Sequence, residues 1–391
     1  MSKKLYAVFT ALILVAFVLA ACAPAATETP AAETQPPAVE ATEPPAAEAT
    51  EPPAEPTEPP AATEPAAEAT EPAAASDLLV CQVTDTGGID DRSFNATAWN
   101  GVVMAQDQLG AEGKYLESQQ QTDYERNINA FVDEGCDLIV TVGFLLGDAT
   151  AAAAEANPDQ NFAIVDFAYD PAIDNVLGLT FATDQAGFLA GYAAAAMTQT
   201  GAVGTFGGLQ IPTVTIFMDG FALGVQYYNE QKGTDVQVLG WDPATQTGLF
   251  TGNFESTDDG RTLGTTLMDE GADIIMPVAG PVGLGTAAAI QERGNAYLIG
   301  VDTDWTISAE QYADITLTSV MKMMDNAVFA AAQQVADGTF EGGIYTGTLE
   351  NEGVGLAPLH ADAPAELSTE LEQVAADIIA GTIQTSPAPA E

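Results

Sequence analysis

Residues 77–391 alternate along their length between short apolar runs and longer segments with helical spacing of apolar residues. The first apolar run covers 78–84, and Phe94–Leu109 follows with helical spacing. This alternation predicts parallel strands joined by crossover helices, in a sheet covered by helices on both faces. The pattern restarts at Ala202–Gly207 with a similar plan. The sequence therefore predicts two α/β lobes.

The length of this region also favours two lobes, because it exceeds the usual size of one hydrophobic core. We expect residues 77–200 to form the first lobe, completed by about 304–340. Residues 201–303 then form the second lobe, completed by about 341–391. The lobes would join near 199–202, and further crossings of the chain would make a hinge. Because ligands of open α/β sheets bind beyond the carboxyl ends of the strands, the cleft between the lobes is the expected site.

Residues 1–21 have the layout of an export signal. Lys3 and Lys4 precede an apolar run at 12–20, which is too short for a comfortable transmembrane helix. The ending Leu-Ala-Ala-Cys at 19–22 resembles the bacterial lipobox. That resemblance implies cleavage before Cys22 and a lipid on this cysteine, which anchors the chain at the extracytoplasmic face of the cell membrane. The alternative is a chance cysteine in an ordinary secretory signal.

Residues 22–76 begin with the anchor cysteine and continue almost entirely in Ala, Pro, Glu and Thr. Such a segment buries too little apolar surface to offset its ordering entropy, so we expect a disordered linker. The whole chain contains 9 Lys plus Arg and 56 Asp plus Glu, for a formal net charge of −47. This acidity argues against charge-driven binding to nucleic acid or anionic lipid.

Few residues in the chain suit catalysis. His360 is the single histidine, so histidine-based triads and zinc clusters are not expected. Phosphate-binding glycine loops are also missing from the sequence. We therefore predict no enzymatic activity, no cofactor and no metal. Cys81 and Cys136 allow either a disulfide or two buried thiols, and the apolar surroundings slightly favour free thiols.

The loop after the first predicted strand is the most specific stretch of the chain. It runs from Asp85 through two glycines to Asp91, Ser93, Phe94 and Asn95. The glycines permit a tight loop, and either Asp91 or Ser93 can cap the next helix. Phe94 and Asn95 would then lie on the first helical turn and face the cleft.

This loop resembles the signature of the basic membrane protein family of ABC-transporter substrate-binding lipoproteins, in its purine-nucleoside-receptor-like branch. Other matching pieces lie at 162–166, 187–191, 207–212, 217–221, 300–304 and 318–322. The resemblance covers 77–360 in order. It implies a type I periplasmic-binding-protein fold, in which two Rossmann-like lobes surround a hinge and a ligand cleft.

The resemblance also implies the site residues. Phe94 and Phe254 would stack on a base from opposite lobes, and Asn95 would hydrogen-bond the ligand. Asp302 would bind ribose hydroxyls beside Lys322, which would offset the repulsion between the Asp302 and Asp85 carboxylates. The full set of expected ligand-binding residues is Asp85, Phe94, Asn95, Asp184, Phe254, Gly280, Asp302 and Lys322. Asp166 ends a predicted strand and is a further cleft group, to which the resemblance gives no role.

The implied ligand is a purine nucleoside such as inosine, guanosine or adenosine, and the implied partners are an ABC permease and its ATPase. Three alternatives remain at this point. A sugar or another small solute can occupy the same fold, a sensory lipoprotein can use it, and a hydrolase can be built on an α/β scaffold.

Overall fold

The computed structural model describes residues 76–387. The expected signal at 1–21, the expected lipid site at Cys22 and nearly all of the expected linker lie outside the described residues. Among the described helices, none is both long and apolar enough to cross a membrane.

Strands and helices alternate through the described residues. The strands are β1 (Leu79–Val83), β2 (Glu112–Leu116), β3 (Leu138–Val142), β4 (Asn161–Val165), β5 (Val176–Phe181), β6 (Ala202–Gly207), β7 (Gln237–Leu239), β8 (Trp241–Asp242), β9 (Thr247–Gly248), β10 (Ile274–Val278), β11 (Tyr297–Asp302), β12 (Thr316–Lys322), β13 (Gly343–Gly347) and β14 (Val354–Leu356). The helices are α1 (Phe94–Leu109), α2 (Tyr124–Glu134), α3 (Gly147–Ala156), α4 (Thr183–Met197), α5 (Pro212–Lys232), α6 (Thr257–Asp269), α7 (Gly283–Arg293), α8 (Trp305–Ser308), α9 (Met324–Ala336) and α10 (Ala365–Ile379).

Two six-stranded sheets form the cores of two lobes. The first has the order β13-β5-β4-β3-β1-β2, and all its pairs are parallel. The second has the order β14-β12-β11-β10-β6-β7, in which β14 alone is antiparallel to its neighbour. Their central strands are apolar and fully buried, as expected for sheets covered on both faces. The predicted pair of α/β lobes is confirmed.

The chain crosses between the lobes three times. The first crossing is at Ala182, the second at Met323, and the third in the segment 348–353. Backbone hydrogen bonds join these crossings: Ala182 donates to the Gly347 carbonyl at 2.8 Å, and Met323 donates to the Gly353 carbonyl at 3.0 Å. The crossings therefore form one connected hinge.

The lobe boundaries differ from the expected ones. Helix α4 packs on α5, β12, β14 and α10, so it belongs to the second lobe and the expected junction near 199–202 is wrong. The expected assignment of 304–340 to the first lobe and 341–391 to the second is wrong for two strands, because β12 pairs with β11 and β13 pairs with β5. Periodicity shows that a segment is helical or extended, but it does not show which sheet the segment joins.

The packing of α4 on α5 depends on glycines that let the two backbones touch. A Cβ added at Gly191 would lie 2.0 Å from the Phe221 carbonyl oxygen, and one added at Gly224 would lie 2.0 Å from the Phe188 carbonyl oxygen. Both distances are far below contact, so these positions exclude any side chain. The close approach explains why the Ala-rich α4 is buried on almost every side.

A disulfide joins Cys81 on β1 to Cys136, just before β3. The two Cα atoms are 6.1 Å apart, a normal spacing for a disulfide. The preference for free thiols is therefore wrong. Since β1 pairs directly with β3, the fold brings the two cysteines together, although the sequence separates them by 55 positions.

The ligand cleft between the lobes

A cleft of about 650 Å³, open solvent included, lies between the carboxyl ends of the two sheets. Residues of both lobes line it, including seven of the eight residues expected from the sequence. These seven are Asp85, Phe94, Asn95, Phe254, Gly280, Asp302 and Lys322.

Asp184 is the expected residue that the structure places elsewhere. It lies in the first turn of α4, buried, where it accepts a hydrogen bond from the Thr385 hydroxyl at 2.5 Å. Asp184 therefore ties the C-terminal segment to the second lobe and does not line the cleft. The carboxylate that lines the cleft instead is Asp166, at the end of β4.

Asp91 shapes the loop that carries Phe94 and Asn95. Its Oδ1 accepts hydrogen bonds from the backbone N–H of Ser93 (2.9 Å) and of Ala96 (3.0 Å). Its Oδ2 accepts one from the backbone N–H of Asn95 at 2.7 Å. Asp91 therefore satisfies the exposed N–H groups at the start of α1, whereas the Ser93 side chain makes no capping bond. Burial raises the pKa of Asp91 to about 6.

Asn95 is held by two carboxylates. Its Nδ2 donates to Asp85 Oδ1 at 2.7 Å and to Asp91 Oδ2 at 3.1 Å, which occupies both amide hydrogens. Asp85 Oδ1 also accepts from the Gly87 backbone at 3.0 Å, and burial raises the pKa of Asp85 despite these bonds. Asp85 Oδ2 accepts no hydrogen bond from the described residues, so this oxygen is available to a donor in the cleft.

Two aspartates end the equivalent fourth strands of the two lobes. Asp166 follows β4 with φ 69°, and Asp302 ends β11 with φ 70°. A left-handed backbone is uncommon outside glycine and is concentrated at functional sites. Asp302 Oδ2 accepts a hydrogen bond from the hydroxyl of Ser93, which belongs to the opposite lobe, at 2.8 Å. Burial raises the pKa of Asp302 to about 6.

Lys322 is 2 % exposed and forms an ion pair with Asp166, with 2.5 Å between Nζ and Oδ2. We expected it between Asp85 and Asp302, so its principal partner was predicted wrongly. It still lowers the pKa of Asp302, although burial outweighs this effect. Three aromatic rings surround the ammonium, those of Phe94, Phe181 and Phe217 at 4.8, 5.3 and 5.8 Å from their centroids.

The aromatic lining comes from both lobes. Phe94 on α1 and Phe254, in the loop before α6, belong to opposite lobes. Phe144 and Phe217 also line the cleft and were not expected to do so. Phe144 follows β3 after one glycine, so the rule that ligands meet the carboxyl ends of strands was sufficient to find it.

One further contact joins the lobes at the Phe254 loop. The Thr86 hydroxyl donates to Glu255 Oε1 across the cleft, and Glu255 Oε2 accepts from the Phe254 backbone N–H at 3.2 Å. Across the cleft, polar contacts join Thr86 to Glu255, Ser93 to Asp302 and to the Val301 carbonyl, and Asp166 to Lys322. Within residues 76–387, no group of three or more His, Cys, Asp or Glu is arranged to hold a metal ion.

The chain has two α/β lobes with parallel sheets, a hinge formed by three chain crossings, and a cleft lined by residues of both lobes. These features define a solute-binding protein of the type I periplasmic-binding-protein fold. A family model described as Bmp, ABC transporter substrate-binding protein PnrA-like, matches residues 78–386. The chain belongs to this family, which confirms the resemblance inferred from the sequence.

Relatives and solved structures agree with this assignment. The ABC transporter nucleoside-binding protein BmpA of Lactococcus lactis subsp. cremoris is 32% identical over 326 residues, covering 79% of this chain and 89% of its own. Basic membrane protein A of Borreliella burgdorferi is 32% identical over 298 residues, covering 75% of this chain and 83% of its own. A crystal structure of an ABC transporter solute-binding protein from Aeropyrum pernix superposes with a TM-score of 0.71 at 29% identity, covering 78% of this chain and 92% of the other.

Proposed function

We propose that this protein is the substrate-binding lipoprotein of an ABC importer and that it binds purine nucleosides in the cleft. The observation that carries this proposal is the pairing of phenylalanines from opposite lobes with buried strand-end carboxylates in one cleft. The printed name of the Lactococcus relative, a nucleoside-binding protein, supports the same ligand class. The protein performs no chemistry on its ligand.

Phe94 and Phe254 bind the base in this proposal. A purine offers two flat faces, and rings from opposite lobes sandwich it when the lobes are together. Each aromatic pair contributes about 0.5–1.5 kcal/mol beyond the area it buries. Because the two rings belong to different lobes, stacking on both faces links binding to closure of the cleft.

Asp302, Asp166 and Lys322 bind the ribose. Vicinal hydroxyls are donors, and the cleft carboxylates are acceptors that form the stronger, charge-assisted kind of hydrogen bond. Gly280 lines the cleft with its backbone, and Asp85 accepts a donor from the base edge through Oδ2. Since the carboxylates here outnumber the single lysine, the cleft disfavours phosphate groups. We therefore expect nucleosides to bind better than nucleotides.

A thermal-shift panel tests the ligand class. Inosine, guanosine and adenosine should raise the melting temperature, whereas cytidine should raise it less, and ribose and AMP should leave it nearly unchanged. Stabilisation by ribose or another sugar, with no response to nucleosides, would contradict the proposal and favour a sugar receptor.

The proposed lipid anchor and the proposed role in ABC import have separate tests. Cys22 is proposed to carry the lipid, so Cys22→Ser should move the protein from the membrane fraction to the soluble fraction of expressing cells. Proteoliposomes with the permease and ATPase should take up labelled inosine only when the receptor is present. Uptake that does not depend on the receptor would contradict the importer role and favour a sensory one.

A further inference from the structure

Lys322 occupies the hinge. It is the last residue of β12, immediately before the second crossing of the chain. Its backbone pairs with Val354, the first residue after the third crossing, and the next residue, Met323, donates to the Gly353 carbonyl at 3.0 Å. The base of this side chain is therefore fixed to two of the three crossings.

The ammonium of Lys322 collects its partners from both lobes. From the first lobe come Asp166 at 2.5 Å, the Phe94 ring at 4.8 Å, and the Phe181 ring at 5.3 Å. From the second lobe comes the Phe217 ring at 5.8 Å. Together these contacts leave the lysine 2 % exposed.

Opening of the cleft would separate these partners. Asp166 moves with the first lobe, while the Lys322 backbone stays with β12 of the second, so the ion pair and the ring contacts to the first lobe break together. Contacts between a cation and an aromatic face are strongest when water is excluded, as it is here. The group therefore stabilises the closed arrangement relative to the open one, whichever solute is present.

We propose that Lys322 and Asp166 form a latch that keeps much of the ligand-free receptor closed. In a two-state receptor, a solute enters only the open fraction, so a latch slows association in proportion to that fraction. It slows release in the same way. The latch does not depend on the identity of the solute, and it makes the free receptor a population of closed and open molecules.

Ligand-free protein gives the direct test. Glu155 and Glu270 are exposed positions of the first and second lobes. Spin labels attached to bio-orthogonal residues at these two positions report the distance between the lobes by pulsed electron paramagnetic resonance. Lys322→Met keeps the length of the side chain and removes the charge. We expect the open-to-closed ratio to rise on the order of tenfold in this variant.

Asp166→Asn provides a second variant that should fold well, because asparagine tolerates the left-handed backbone at this position. It should shift the distances in the same direction, and the double variant should shift them no further than the larger single effect. Lys232→Met is the matched control. Its ion pair with Glu370, 2.7 Å long, lies within the second lobe, so the distances should stay unchanged.

Identical distance distributions in wild-type protein and in folded Lys322→Met and Asp166→Asn variants would overturn the latch. Association kinetics with inosine add a second readout, which rests on the proposed function. A latch predicts faster association and faster release in Lys322→Met, whereas a lysine that only contacts ligand changes release alone. If inosine fails to bind but the distances still shift, the latch stands and the nucleoside proposal fails.

Discussion

Ser93, at the start of α1 in the first lobe, donates a hydrogen bond to Asp302 of the second lobe, with 2.8 Å between Oγ and Oδ2. Both side chains are buried. A carboxylate proposed to bind ribose is thus oriented by the opposite lobe, so Asp302 reaches its binding geometry only when the lobes meet. This contact makes the site depend on closure.

Ser93→Ala should weaken nucleoside binding about fivefold, because loss of a hydrogen bond to a buried carboxylate costs on the order of 1 kcal/mol. Isothermal titration calorimetry with inosine measures the change. Ser368→Ala, at an exposed position on α10, is the matched control and should bind as wild type does. Equal affinities for wild type and Ser93→Ala would show that the contact does not orient Asp302.

Lowering the pH from about 7 to about 4 should raise the free energy of unfolding. Burial raises the pKa of Asp91 and of Asp302 from 3.8 to about 6, so the folded state binds these protons more tightly than the unfolded state. The free energy of unfolding therefore rises as pH falls through 6, and the gain is complete below 3.8. The rise in pKa from 3.8 to about 6 corresponds to a gain in the free energy of unfolding of about 3 kcal/mol for each carboxyl group. Urea unfolding at pH 7.5 and pH 5 measures the direction.

Ligand binding should show the opposite pH dependence. Ionised Asp302 accepts both ribose hydroxyls, and its protonation removes an acceptor, so affinity for inosine should fall about tenfold per pH unit below 6. Asp302→Asn should bind more weakly at pH 7.5 and lose most of this dependence. Affinity that rises on acidification in wild type would contradict the role of Asp302.

Loss of the Cys81–Cys136 disulfide should lower the free energy of unfolding by about 4 kcal/mol. This is the loop-closure value for a link between cysteines 55 positions apart. Urea unfolding with and without reductant measures it, and the Cys81→Ala, Cys136→Ala double variant should be insensitive to reductant. Equal stabilities of oxidised and reduced wild type would show that the bond contributes nothing.

Gly191→Ala should destabilise the second lobe by about 1–3 kcal/mol, because a side chain there collides with the Phe221 carbonyl and separates α4 from α5. The intrinsic helix preference for alanine acts in the opposite direction and is smaller. Gly355→Ala is the control, since a Cβ at that position meets nothing within 4 Å. Thermal unfolding of both variants checks the difference, and a Gly191→Ala variant as stable as wild type would disprove the close packing.

Much of the fold follows from local patterns. The alternation of apolar runs located the main strands and helices, because periodicity depends on neighbours in the chain. Lobe membership was harder: α4 follows β5 in sequence but packs in the other lobe, and β12 and β13 exchange their expected sheets. These choices depend on packing between segments far apart in the chain, which periodicity does not contain.

Some residues of the site could likewise be located from the sequence, and others could not. Residues next to the ends of strands or in the loop after β1, such as Asp85, Phe94 and Asp302, were located by motif and position. The prediction that Asp184 binds the ligand was wrong, because its position near a matching motif does not show which way its side chain faces. Asp166 lines the cleft instead. The pairing of Lys322 with Asp166 joins residues 156 positions apart, so it became visible only in the structure.

Titration of inosine into wild-type protein and into Phe94→Ala and Phe254→Ala variants tests the central claim most directly. We expect one tight site per wild-type molecule and at least tenfold weaker binding in each variant, since each variant loses one stacked ring, which contributes about 1.5 kcal/mol or more with its buried area. Phe340→Leu, a partly buried aromatic outside the cleft, should bind as wild type does. Absence of inosine binding to wild type, or equal affinity in all four proteins, would contradict the account.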